Sequence, residues 1–199
     1  MPVFSYPGMT RFAKPIVFAL CLLPLAWLAH KGATAGFGAH PQEYVNRFLG
    51  DWGLRFLLLA LAVTPLREIG NWPRLAAYRR MIGLYAFFYV TLHILSYVVA
   101  THFFDWAAIL KDIYKRNYIT VGMAVFLILA PMAATSTAGM VKRLGARRWK
   151  KLHRLVYLAG IGGVFHFFMM VKLDWREPAL YAAILAFLLG WRIWRLRRA

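Results

Sequence analysis

Cysteine is nearly absent from this 199-residue chain, with Cys21 the single one. One thiol excludes an internal disulfide, a four-cysteine iron–sulfur site and the C-x-x-C-H attachment of a c-type haem. It lies inside an apolar run, where packing is the role to expect. Acidic residues are scarce as well, 7 against 25 lysines and arginines, for a formal net charge of +18. Such an excess invites a nucleic-acid reading, but the basic residues cluster in the gaps between apolar runs and form no basic helix face. Nucleic-acid binding is set aside on that distribution. Internal repeats and low-complexity tracts are missing too, and no gap is long enough for a nucleotide-binding domain.

What the chain has instead is apolar sequence in long runs. Hydrophobic residues make up 61% of it, and the mean hydropathy is +0.55. A soluble domain of this size is closer to half apolar, with its apolar residues dispersed in helical or strand rhythm. Runs approaching twenty residues, repeated along the chain, are the mark of membrane-spanning helices. Six spans are expected, roughly 15–30, 50–65, 81–100, 118–134, 152–171 and 178–195. The second is the weakest, because Arg55 interrupts it; Trp52 and Pro65 bracket it. The fold class is therefore all-α, a polytopic six-helix membrane bundle formed as one domain over residues 1–199. The first span reads as retained, since no small-residue cleavage site follows it.

Basic residues orient the bundle. Seventeen fall on one side, before span one, between spans two and three, between four and five, and after six. Seven fall on the other, and Arg55 lies within a span. Positive charge marks the cytoplasmic face, so both termini are expected inside. On the outer side, Trp106, Ile109, Leu110 and Ile113 recur at helical spacing between Phe103 and Asn117. That predicts an amphipathic helix lying on the surface, either a plain connector or a docking face for an outer partner.

Six histidines remain to be placed. His30, His40 and His102 sit at or beyond span ends and take no role. His93 and His166 lie within apolar runs, where an ionisable side chain is costly unless partnered. His93 is 12 residues beyond Met81 and His166 is 14 beyond Leu152. At about 1.5 Å per residue, their depths from the cytoplasmic side are roughly 18 and 21 Å. Two neutral imidazoles at one level can take both axial positions of a haem iron; alternatively, each simply hydrogen-bonds a neighbouring helix. His153, at the inner mouth of span five, lies among Arg147, Arg148, Lys150, Lys151 and Arg154. There it is either a second redox-centre ligand, with the basic groups on haem propionates or a phosphate, or an ordinary interfacial histidine. It stands 13 residues from His166, which leaves the two side chains about 140° apart on an ideal helix. Counting 13 back from His93 reaches Arg80, a poor iron ligand but a good one for a propionate, a flavin phosphate or a lipid headgroup. His153 and Arg80 are expected to face one inner cofactor, with Arg79 beside them.

Together these residues resemble a known family. The histidine placement on spans three and five is similar to the transmembrane domain of ferric reductases and NADPH oxidases. Closer still is the MsrQ (formerly YedZ) family, haem-binding membrane subunits of the bacterial periplasmic methionine sulfoxide reductase system. The resemblance is carried by Leu54 to Leu59 through Thr64-Pro65-Leu66, by Arg79 to Leu84 leading to Thr91-Leu92-His93, and by Ser96-Tyr97. Thr135-Ser136-Thr137, Trp149 to Leu155 with Tyr157, and His166 to Lys172 complete it. It implies haem b held by His93 and His166, with His153 as a third family position and no fourth histidine as in the oxidases. It further implies electron entry from a cytoplasmic flavin reductase or the quinone pool, through a bound FMN. The implied exit is to a periplasmic molybdenum-containing reductase, MsrP, across the bacterial inner membrane. The chain itself would carry no substrate pocket. Two other classes stay open on the residues alone. One is a haem-containing ferric or quinone reductase; the other is a small transporter relaying protons or metal through its histidines.

Overall fold

The computed structural model describes residues 7–171 and 173–198. Lys172, counted above among the outer basic residues, and the C-terminal Ala199 lie outside them, as does the side chain of Arg11. Among the described residues there are nine α-helices and no strand. They are α1 (Pro7–Thr34), α2 (Pro41–Ile69), α3 (Arg79–Ser96), α4 (Trp106–Lys115), α5 (Asn117–Ala134), α6 (Ala138–Leu144), α7 (Ala146–His153), α8 (Val156–Met170) and α9 (Arg176–Arg198). A 3₁₀ turn at Pro73–Ala77 precedes α3, and a π-helical turn at Tyr97–Thr101 extends it. Six stretches are long and apolar enough to cross a membrane: Ala13–Thr34, Pro41–Ile69, Arg79–Thr101, Asn117–Ala134, Ala146–Met170 and Arg176–Arg198. The all-α membrane bundle expected from the sequence is the observed fold.

The span that reads weakest in sequence occupies the centre. Of the most apolar window of α2, 56% is buried, against 17–28% in the other five spans. α2 packs most extensively on α3 and also touches α8 and α9. Arg55 survives there because its charge is shared out. Its Nε donates to the Tyr181 hydroxyl at 2.7 Å, its Nη2 reaches Glu177 at 3.4 Å, and its guanidinium lies 5.0 Å from the Trp52 ring. A guanidinium with several partners and a π face bears desolvation far better than a bare one.

Prolines inside the spans free backbone groups, and neighbouring side chains satisfy them. Pro65 has no N–H for the carbonyl of Leu61, and Arg192 of α9 donates to that carbonyl instead. In α1, beside Pro24, the Tyr89 hydroxyl enters the helix ladder itself. It donates to Cys21 O at 2.9 Å and accepts from Leu25 N at 3.2 Å, the pair that would otherwise bond directly. Tyr85, one turn earlier on α3, donates to Phe18 O at 3.0 Å. Two tyrosines thus fasten a first span that is otherwise largely exposed.

Two connectors differ from expectation in instructive ways. The outer amphipathic helix is present as α4, started by the Asp105 carboxylate, which accepts from Ala108 N at 3.0 Å. Its apolar stripe divides: Ile109 is buried and Ile113 half-buried, whereas Trp106, Leu110 and Tyr114 face outward. The inner connector is helical, with α6 and α7 meeting at Gly145, whose φ of +75° suits glycine. Between α7 and α8 the chain keeps helical dihedrals at Arg154 and Leu155 and tightens there to i→i−3 hydrogen bonds, so Ala146–Met170 continues as one stretch. His153 and His166 lie on either side of that tightened turn, which alters the angle counted for an ideal α-helix.

Candidate functional site

α3 and α8 bring His93 and His166 together, with ring centroids 6.3 Å apart and planes at 78°. The two are built into the bundle by the same local device. His93 Nδ1 lies 2.8 Å from the carbonyl of Asn46 on α2, and His166 Nδ1 lies 2.7 Å from the carbonyl of Tyr118 on α5. One turn beyond each carbonyl is a glycine, against which the imidazole rests. A Cβ added at Gly50 would lie 3.0 Å from His93 Nδ1, and one at Gly122 would lie 3.0 Å from His166 Cε1. Carbonyl at i and glycine at i+4 form a seat, repeated on α2 for α3 and on α5 for α8. Neither glycine was among the residues the sequence marked out, because the need for each arises from a helix distant in the chain.

The carbonyls fix the tautomer. A carbonyl oxygen only accepts, so Nδ1 carries the proton in each ring, and in a neutral imidazole Nε2 is left with a free lone pair. That is the state a metal-binding histidine needs, with its second nitrogen oriented by a backbone acceptor. The separation also suits one iron between two rings. A metal–imidazole bond of about 2 Å and roughly 1.1 Å from nitrogen to ring centre, doubled, give about 6.2 Å. On the chemistry of the donors and on spacing, the pair fits the bis-histidine haem expected there.

Beyond the pair, towards α4, Asp112 gathers the end of α3 and the start of α5. It accepts from the Tyr97 hydroxyl at 3.1 Å and pairs with Arg116 at 3.1 Å and His102 at 3.3 Å. Arg116 also donates to the Tyr118 hydroxyl at 3.1 Å. These two donations raise the pKa of Arg116, first through Tyr118 and then through Asp112. His102, given no role from sequence, is thus tied to the residue whose backbone seats His166. The outer loop makes this possible through strained backbone, Phe103 and Phe104 both having positive φ, +47° and +64°.

The inner candidates are arranged differently. His153 stacks on Trp149 at 4.0 Å, and its Nε2 lies 3.3 Å from Thr135 Oγ1. Thr135 directs its own proton to Pro131 O at 2.7 Å, so its oxygen accepts from His153 Nε2–H. Trp149 Nε1 closes the group by donating to Thr135 O at 3.0 Å. The Thr135-Ser136-Thr137 turn is therefore the anchor for α7. The nitrogen left free on His153 is Nδ1, opposite to the outer pair. Arg79 is the arginine whose charge acts on His153, and it acts on Arg192 as well. Arg80, Arg148 and Arg154 are exposed.

A membrane bundle that holds two seated histidines at one level defines a class, and residues 49–164 match the family described as ferric reductase like transmembrane component. His93 and His153 fall inside the matched stretch, and His166 two residues beyond it. Similar proteins include several named protein-methionine-sulfoxide reductase heme-binding subunit MsrQ. That of Rhodospirillum rubrum is 53% identical, over 92% of this chain and 88% of its own. The Caulobacter vibrioides protein is 49% identical over 92% and 87%, and that of Ralstonia nicotianae 46% over 98% and 90%. This chain belongs to the MsrQ family.

Proposed function

We propose that this chain is the haem b-binding membrane subunit of a methionine sulfoxide reductase system, carrying electrons across the bacterial inner membrane. The observation that carries the reading is the His93–His166 pair, with both Nδ1 atoms committed to carbonyls and the rings 6.3 Å apart. A haem bound there supplies a one-electron redox step, while the protein supplies position and electrostatics. The chain's own part is to hold two imidazoles in one tautomer and to exclude water with the helices that seat them. Relatives named as heme-binding subunits of such a system support the assignment.

The partners follow from the family. The acceptor is a periplasmic molybdenum-containing reductase, MsrP, and the donor a cytoplasmic flavin reductase or the quinone pool. The family resemblance implies FMN as well, and Arg79, Arg80, Arg148 and Arg154 would hold an anionic group at the inner face, whether an FMN phosphate, a haem propionate or a reduced quinone. Supporting this, Glu68 is the one carboxylate among the inner clusters, and Arg67, Arg195 and Trp191 already engage it. The exposed Arg80, Arg148 and Arg154 give this face a positive charge that suits an anionic ligand. His153 holds α7 through its contact with Thr135, beside the inner cofactor.

Absorption and electron paramagnetic resonance spectra of the purified protein, oxidised and then reduced with dithionite, test the central claim. The wild type should show a low-spin b-type haem. His93→Ala and His166→Ala should each lose that signal or the haem outright. Wild-type haem content and spectrum in both variants would overturn the assignment.

A further inference from the structure

The two histidine seats are alike in their backbone carbonyls and glycines, but one has an additional tie. Asn46, whose carbonyl accepts from His93 Nδ1, also turns its side chain onto the same residue. Its Nδ2 donates to the backbone carbonyl of His93 at 2.9 Å and to Ser96 Oγ at 2.8 Å. Ser96 Oγ in turn donates to His93 O at 2.8 Å. An amide that faces a carbonyl must present nitrogen, so the orientation of the Asn46 side chain is fixed by its partner. At the other seat, the Tyr118 hydroxyl accepts from Arg116 and the Tyr118 ring lies 6.4 Å from the His166 ring, with no side-chain bond to the His166 backbone among the described residues.

The tie lies where α3 changes character. The π-helical turn at Tyr97–Thr101 begins four residues after His93. A wider turn disturbs the regular ladder at its entry, and such turns gather at functional sites. The Tyr97 N–H is shared between His93 O and Ile94 O, and Asn46 and Ser96 supply two further donors to His93 O. Asn46 thus joins α2 to both the ring and the backbone of His93. If α3 slid or rotated against α2, the ring would lose its acceptor only after the side-chain bonds had been broken.

We propose that Asn46 is the positioning residue of the haem site, locking His93 as the fixed ligand while His166, held by one bond, is the adaptable one. This rests on the haem-binding reading above and adds to it a residue that precedes the stretch matched by the family model. A hydrogen bond from Nδ1–H to a fixed acceptor raises the basicity of Nε2. A more basic ligand favours the ferric state, so a loosened His93 raises the midpoint potential. The 78° between the rings depends on the same restraint. Perpendicular ligand planes give a highly anisotropic low-spin resonance, and planes free to rotate give a broadened or less anisotropic one.

The test compares Asn46→Leu, Asn46→Ala and Asn46→Gln in the purified full-length haem protein, each against wild type. Every variant keeps the Asn46 backbone carbonyl; Leu and Ala remove the Nδ2 donor, and Gln retains an amide. Leu and Ala should shift the ferric-to-ferrous ratio at fixed potential by up to about tenfold, or about 59 mV for a one-electron couple. They should broaden the low-spin signal and speed haem loss about tenfold, while Gln recovers part of each effect. If Asn46→Leu fails to fold, Asn46→Ala decides, being the smaller change in bulk. Wild-type potential, line shape and haem retention in a folded Asn46→Ala protein would overturn the proposal. A wild-type protein without low-spin haem would instead overturn the reading beneath it.

Discussion

Gly50 and Gly122 each leave room for one imidazole, and the room is smaller than a methyl group needs. A Cβ at either position would stand 3.0 Å from the nearest ring atom, so the ring must shift by some tenths of an ångström. The shift moves Nδ1 off a carbonyl now 2.7–2.8 Å away and turns Nε2 from its aim. Loss of such an orienting contact costs about tenfold or more in metal-site affinity. Gly50→Ala and Gly122→Ala should each weaken haem retention by about that factor, measured as transfer to excess apomyoglobin. Gly139→Ala, where an added Cβ meets nothing within 4 Å, is the control and should be neutral. Retention equal to the control in both seat variants would mean that the rings are not held as described. At this scale the sequence was half legible. His93 and His166 stood out because ionisable groups are rare in apolar runs. Asn46, Tyr118 and the two glycines did not, since nothing local separates a seat from any other helical glycine or carbonyl.

Elements were easier to find than to rank. Hydropathy located all six spans, because a bilayer demands length and apolarity of each. It placed the second last in strength for the same reason that this span is central: α2 carries polar groups because other helices surround it and answer them. Arg55 with Tyr181 and Glu177 is one case, and Pro65 with Arg192 is another. The second can be tested directly. Arg192→Leu should leave the Leu61 carbonyl unpaired in the bundle, at a cost of about 1–3 kcal/mol. Pro65→Ala restores a backbone N–H four residues on, so the double variant should recover much of that loss. Thermal unfolding in one detergent would show it as a double-mutant cycle with marked non-additivity. Strictly additive losses would mean that Arg192 contributes through its other contacts, Leu188 O at 2.6 Å and the Tyr157 ring at 5.5 Å. The tightened turn at Arg154 and Leu155 was not legible. The apolar pattern of α8 and the basic run of α7 adjoin without a proline or glycine, and the contacts of Thr135 with His153 and Trp149 that flank the turn come from a segment distant in the chain.

For the whole molecule, which end faces the cytoplasm is a prediction that rests on charge. The end formed by the start of α1, by the α2–α3 connection, by α6 and α7 and by the end of α9 carries seventeen basic residues, with Glu68 as its single acid. The other end carries seven basic residues and six acidic ones, Glu43, Asp51, Asp105, Asp112, Asp174 and Glu177. Basic residues resist translocation, whereas acidic ones contribute little, so the first end is expected inside. Both termini should then be cytoplasmic, with Gly38, in the link between α1 and α2, outside. The orientation also gives the histidine pair its side. His93 and His166 lie towards the ends of α3 and α8, and their seats at Asn46 and Tyr118 lie near the starts of α2 and α5, all at the acidic end. An outward-facing pair is placed to pass electrons to a periplasmic acceptor, and an inward-facing one is not. Reporter fusions after Ala199 and at Gly38 measure the topology. Alkaline phosphatase, active outside, should report at Gly38 and be silent at the C-terminus, and a cytoplasmic fluorescent reporter should give the reverse. Reversal of both signals would put the haem site against the cytoplasm and remove the physical basis for an outward electron path.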